Sequence, residues 1–141
     1  MPRNVASREV ETAITPLWKK LGLKDGARSC VINPPDTYHR VLLKGAPDAN
    51  WDAGHDSPEF VHLFSVHRAE LETLLPELLN SMDRDAMIWV SWPKKASKVA
   101  TDITEDTIRE VALPLGLVDV KVCAVDATWS GLKLMIRKEL R

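Results

Sequence analysis

This chain is poor in the residues that usually announce a chemistry. Two cysteines, Cys30 and Cys123, are the whole thiol complement of 141 residues. That is too few for a disulfide scaffold, and nothing near them has the paired spacing of a zinc site. The six glycines form no G-x-x-x-x-G-K-[ST] phosphate loop and no G-x-S-x-G elbow, so P-loop and serine-hydrolase chemistry lack their central parts. A net charge of −1 supplies no bulk attraction for nucleic acid or anionic lipid. Aromatics are 6% of the chain and do not fall in the stacked pattern of RNA readers. No apolar run reaches the length of a membrane span, and Met-Pro-Arg-Asn-Val-Ala-Ser-Arg has no apolar signal region. The expectation is a cytoplasmic protein with reduced, buried cysteines, no metal, no nucleic acid and no membrane.

What is present is an ordinary globular composition. The chain is 45% hydrophobic and 28% charged, as expected for one domain spanning residues 1–141, with 1–8 polar and flexible. A domain of this length buries roughly 68–70% of its unfolded surface, enough for a core without staples. Val10, Ile14, Leu17, Trp18 and Leu21 recur at helical spacing, closed by Gly22, with Pro16 in a first turn that begins at Thr15. Arg28–Ile32 reads as a short strand ended by Asn33-Pro34-Pro35-Asp36. A helix is expected from Tyr38 to about Lys44, capped by Asp36 or Thr37. Residues 45–58 read as loop, with a short edge strand near Ala49–Asp52 as the alternative.

The later part of the chain is clearer. Phe60–Val66 is a strand, and His67–Met82 is a helix whose Leu71, Leu74, Leu75, Leu78 and Leu79 form one apolar face. Pro76 within it predicts a kink. Ala86–Trp92 is the next strand, followed by the basic loop Pro93–Lys98 and a helix over Thr104–Leu115, capped by Thr104 or by Asp102 and Glu105. Val118–Val125 and Leu132–Lys138 are strands joined by a turn at Asp126–Gly131, too short for a parallel crossover and therefore antiparallel. The order predicts a three-layer α/β domain: a mostly parallel sheet of about five strands, with an antiparallel strand near the C-terminus.

Two resemblances follow from these residues. Ile88–Lys95, Ala100–Glu105, Lys121–Asp126 and Trp129 resemble a small family of bacterial proteins known as a domain of unknown function. That resemblance spans Leu17 to Lys138 and implies no activity. The layout, with its antiparallel final strand, looks like a truncated Rossmann-like S-adenosylmethionine-dependent methyltransferase fold. In that fold a glycine-rich loop follows the first strand. Here Asn33-Pro34-Pro35 stands in that place, and an acid to hold ribose hydroxyls would have to be Asp48 or Asp52. The resemblance thus implies a degenerate, non-catalytic binding or interaction domain with no cofactor. The alternative is a methyltransferase with an atypical cofactor loop, in which Asn33 and the backbone near Ser65–Val66 touch S-adenosylmethionine. Asn33-Pro34-Pro35-Asp36 also resembles the N-P-P-[YF] motif of amino-methyltransferases, but it follows the wrong strand and has no fourth aromatic.

Candidate ligand-binding residues gather where strands end, because open α/β sheets bind ligands beyond their carboxyl ends. Lys94, Lys95 and Lys98 precede a helix N-terminus and suit a small anion, although a solvated loop is the simpler reading. Trp92 and Trp129 form an aromatic pair if both face one side, and otherwise pack against the loop; Trp89 belongs to the core. His67, at the end of a central strand, is a candidate base or hydrogen-bond donor, and Asn33 completes the set. The expected partner is a small anion or a protein, with a homodimer through a sheet edge or the Leu-rich helix as one form.

Overall fold

The computed structural model describes residues 15–51 and 57–141. Its five strands are β1 (Ser29–Ile32), β2 (Phe60–Phe64), β3 (Met87–Pro93), β4 (Leu117–Ala124) and β5 (Trp129–Ile136), in the spatial order β1-β2-β3-β5-β4. β1, β2 and β3 pair in parallel, and β5 inserts antiparallel between β3 and β4. β4 is therefore parallel to β3, and β5 alone runs against the rest. The expected mixed sheet is the one observed.

Alternation along the strands makes two cores. Val61, Leu63, Ile88, Val90 and Trp92 face helices α2 (Arg68–Ser81) and α3 (Glu105–Ala112), where they meet Leu71, Leu75 and Ile108. The opposite side chains, Phe60, Phe64 and Trp89, pack with Leu21, Leu23, Tyr38 and Leu43. Burying these apolar surfaces on both faces is what holds the three layers together.

α2 runs unbroken through Pro76, so the proline removes one hydrogen bond without ending the helix. The buried face of Leu71, Leu75 and Leu78 outweighs that local cost of about 3 kcal/mol. α3 begins at the Thr104 cap, whose hydroxyl accepts from the Thr107 amide in a capping box. It passes into a 3-10 turn at Leu113–Leu115 that Gly116 closes at φ 90°.

The first half departs more from expectation. α1 is a short helix, Leu17–Leu21, with extended Pro16 as its N-cap and left-handed Gly22 as its C-cap. The apolar positions Val10 and Ile14, and residues 1–8, for which flexibility is expected, lie outside the described residues. Tyr38–Leu42 forms a π-helical turn rather than an α-helix, with amides of Leu42 and Leu43 donating to Thr37 and Tyr38 carbonyls at 3.0 and 2.9 Å. Neither Asp36 nor Thr37 caps it through a side chain. The wide turn carries Tyr38 under the sheet, where it is 1% exposed. In place of an edge strand near residue 50, one parallel bridge joins Arg28 and Asn50. The final turn is shorter than expected. Asp126 Oδ1 accepts the amides of Thr128 and Trp129 at 2.8 and 2.7 Å, and β5 starts at Trp129. Cys30 and Cys123 are half-buried free thiols on strands, less enclosed than expected.

Candidate functional site

A crevice of about 240 Å3 lies at the carboxyl ends of β1 and β2. Asn33, Phe64, Ser65, Val66, His67, Glu70 and Trp129 line it. Asn33 leaves β1 in the left-handed conformation at φ 57°, a geometry asparagine tolerates better than most residues. The turn puts its side-chain amide beside α2, where Nδ2 donates to Glu70 Oε2 at 3.2 Å. Ser65 Oγ donates to the other carboxylate oxygen at 2.6 Å. Glu70 thus ties the exits of β1 and β2 together. No arginine or lysine among the described residues pairs with it. His67 is the N-cap of α2, exposed to solvent, and its extended backbone turns the chain from strand to helix. The first amide of α2, that of Arg68, donates to Asp102 Oδ1 at 2.7 Å.

The aromatic wall of the crevice continues into a buried polar network. Phe64 meets Trp129 edge-on at 5.0 Å and stacks on His62 at 4.3 Å. His62 Nδ1 lies 2.9 Å from the Tyr38 hydroxyl, and Nε2 lies 2.7 Å from Ser91 Oγ. His62 and Ser91 have no exposed surface, so this trio is a satisfied internal network that no substrate reaches. Burial pushes the imidazole pKa down to about 3 and the Tyr38 phenol up. Gly131 lies opposite Ser91 in the sheet, and a Cβ there would come within 3.4 Å of Ser91 Oγ.

The sequence candidates separate. Asn33, His67 and Trp129 converge on the crevice. Trp92 does not. It is 8% exposed and packs under α2 and α3 with Val90 and Ile103, on the opposite sheet face from Trp129. The two indoles therefore form no pair, because β3 continues to Pro93 and alternation carries Trp92 inward. Lys94, Lys95 and Lys98 also lie outside the crevice lining. Lys94 donates its amide to Thr128 at 2.8 Å, and a 3-10 turn over Lys95–Ser97 ends at left-handed Lys98. The Arg68 and Thr107 amides at the starts of α2 and α3 are engaged by Asp102 and Thr104.

Sequence reasoning placed the backbone near Ser65–Val66 here and missed Phe64 and Glu70. The available signal was Glu70 in the first turn after a strand-ending His67, an acid where a helix start favours one. A larger hollow of about 450 Å3 opens at the other end of the sheet, lined by Lys24, Asp25, Glu59, Phe60, Asp85 and Met87 among others. It lies at the amino ends of the strands, opposite the end where this class of sheet binds ligands. Among the described residues no group of three His, Cys, Asp or Glu side chains is placed to hold a metal, and no helix is long and apolar enough to cross a membrane.

The magnesium protoporphyrin IX methyltransferase of Synechocystis with SAM bound superposes with a TM-score of 0.55 at 13% identity, covering 93% of this chain and 79% of that one. The same enzyme with SAH bound gives 0.56 at 11% identity, covering 96% and 88%. A TehB-like SAM-dependent methyltransferase from Corynebacterium glutamicum gives 0.52 at 10% identity, covering 95% and 97%. No family model and no curated protein matches the chain. At these identities the likeness establishes a methyltransferase-like fold.

Proposed function

We propose that this chain binds S-adenosylmethionine in the crevice bounded by Asn33, Ser65, His67, Glu70 and Trp129, as an atypical member of the methyltransferase fold. One observation carries the reading. The crevice lies beyond the carboxyl ends of β1 and β2, where such sheets hold ligands, in a fold shared with proteins captured with SAM and SAH.

The residues present fit part of the cofactor. Left-handed Asn33 makes the tight turn that a first glycine makes in a dinucleotide loop. Half-buried Trp129 offers aromatic surface and Glu70 a carboxylate. Pro34 and Pro35 carry no amide hydrogen and contribute no donors. The volume is also below the roughly 300–1,000 Å3 that encloses a drug-sized ligand. The cofactor would therefore be seated by one end, with the remainder on the open surface.

When bound, the cofactor would supply a methyl group on a sulfonium. Asn33 and Ser65, both pinned by Glu70, would orient it, and exposed His67 would accept the proton of an incoming nucleophile. A second reading, a non-catalytic interaction domain, is favoured by the two missing amide donors at Pro34 and Pro35. The alternatives separate in one experiment. Thermal melts with S-adenosylmethionine and S-adenosylhomocysteine should show a saturable rise of several degrees, since ligand at about 100 times its dissociation constant adds roughly 2.7 kcal/mol. No shift at millimolar cofactor would leave the interaction-domain reading.

A further inference from the structure

From the carboxylate of Glu70, which no arginine or lysine among the described residues neutralises, beside half-buried Trp129, we infer that the crevice selects the cationic sulfonium form of its ligand over the neutral thioether. The inference rests on the cofactor reading above and deepens it. Glu70 is half-buried in the first turn of α2. Its two oxygens accept from Ser65 Oγ at 2.6 Å and Asn33 Nδ2 at 3.2 Å. Both donors are neutral, so they orient the carboxylate without cancelling its charge. The nearest arginine in sequence, Arg68, is turned away into Glu72 and Glu110 at 3.4 and 2.6 Å. The helix dipole offsets only part of one charge, and Asp102 adds a second carboxylate at the same helix end.

Ser65 and Asn33 take one acceptor site on each carboxylate oxygen and leave one on each, so the charge attracts a cation and the neighbouring aromatic side chain favours its form. Half-buried Trp129 completes the lining, with the Phe64 ring buried behind it against His62. An indole beside an acid suits a cation whose charge is spread over carbon-bound groups and needs no hydrogen bond, as in a sulfonium or quaternary ammonium. A sulfonium meets that description, and the thioether left after demethylation does not. The chain would thus retain the charged methyl donor and release its neutral product.

The test is isothermal titration of the full chain with S-adenosylmethionine and S-adenosylhomocysteine, for wild type and Glu70→Gln. Glutamine keeps the length and can still bond Ser65 and a reoriented Asn33 amide. The expected result is roughly tenfold tighter binding of the sulfonium by wild type, a preference that falls in high salt and drops to within twofold in Glu70→Gln. Equal wild-type affinities for the two compounds would overturn charge selection and leave the cofactor reading standing. Absence of binding by either compound would overturn the cofactor reading and this inference together. The wild-type ratio and its salt dependence require no variant, so a Glu70→Gln protein that failed to fold would not remove the test.

Discussion

Acidification should destabilise this protein through His62, well above the pH at which ordinary carboxylates titrate. The imidazole is fully buried between Tyr38 and Ser91, stacked on Phe64, and its pKa is lowered to about 3. In the unfolded chain it returns to about 6.5. Between those values the unfolded state binds the proton and the folded state does not, so stability rises with pH across the window and is lost as pH falls through about 6.5. At pH 5 the unfolded histidine has gained about 1.5 pH units of protonation free energy, which at 1.36 kcal/mol per unit is a loss of about 2 kcal/mol. Urea titrations at pH 7 and pH 5 measure it. With a slope of about 1–3 kcal/mol per molar, the midpoint should fall by about 0.7–2 M. His62→Gln removes the titrating group, so its loss over the same interval should be smaller by about 2 kcal/mol, whatever its absolute stability. Equal losses in the two proteins would refute the buried-neutral assignment.

Other perturbations have equally definite outcomes. Pro76→Ala restores an amide within α2 and should raise stability by about 1–3 kcal/mol in denaturant titrations; a drop would mean that the proline packs as well as interrupts. Thr104→Ala removes the α3 capping box and should cost about 1 kcal/mol by the same assay. Lys94→Ala with Lys95→Ala should leave cofactor affinity within twofold, since neither lines the crevice. Acrylamide should quench the half-buried Trp129 while single-tryptophan variants retaining Trp89 or Trp92 stay protected.

The second half of the chain was legible because its elements obey one rule each. Ile88, Val90 and Trp92 alternate with Met87, Trp89 and Ser91, and α2 and α3 carry apolar faces at helical spacing. Alternation also separates Trp92, at the end of the expected strand, from Trp129, because β3 continues to Pro93 and turns the Trp92 indole toward α2 and α3. The first half was harder because its form is set by distant contacts. Tyr38 is drawn inward by His62, 24 residues away, and a π-helical turn meets that demand where local spacing predicts an α-helix. Of the site, Asn33, His67 and Trp129 followed from the rule that ligands sit beyond strand ends. Glu70 was not legible, because its partners lie five residues back across a strand–helix junction and 37 residues back in β1's exit turn. Nor was the role of His62. A histidine inside Phe-Val-His-Leu-Phe signals a buried polar group, but its satisfaction by Tyr38 and Ser91 is a property of the packed sheet.

The central claim is that the ligand sits at the carboxyl ends of β1 and β2, and amide-resolved NMR titration with S-adenosylmethionine tests it most directly. The account predicts saturable shifts at Asn33, Ser65, Val66, His67 and Glu70 and at the Trp129 indole. Silent spectra, or shifts confined to Lys24–Ala27 and Asp85 at the opposite end of the sheet, would contradict it.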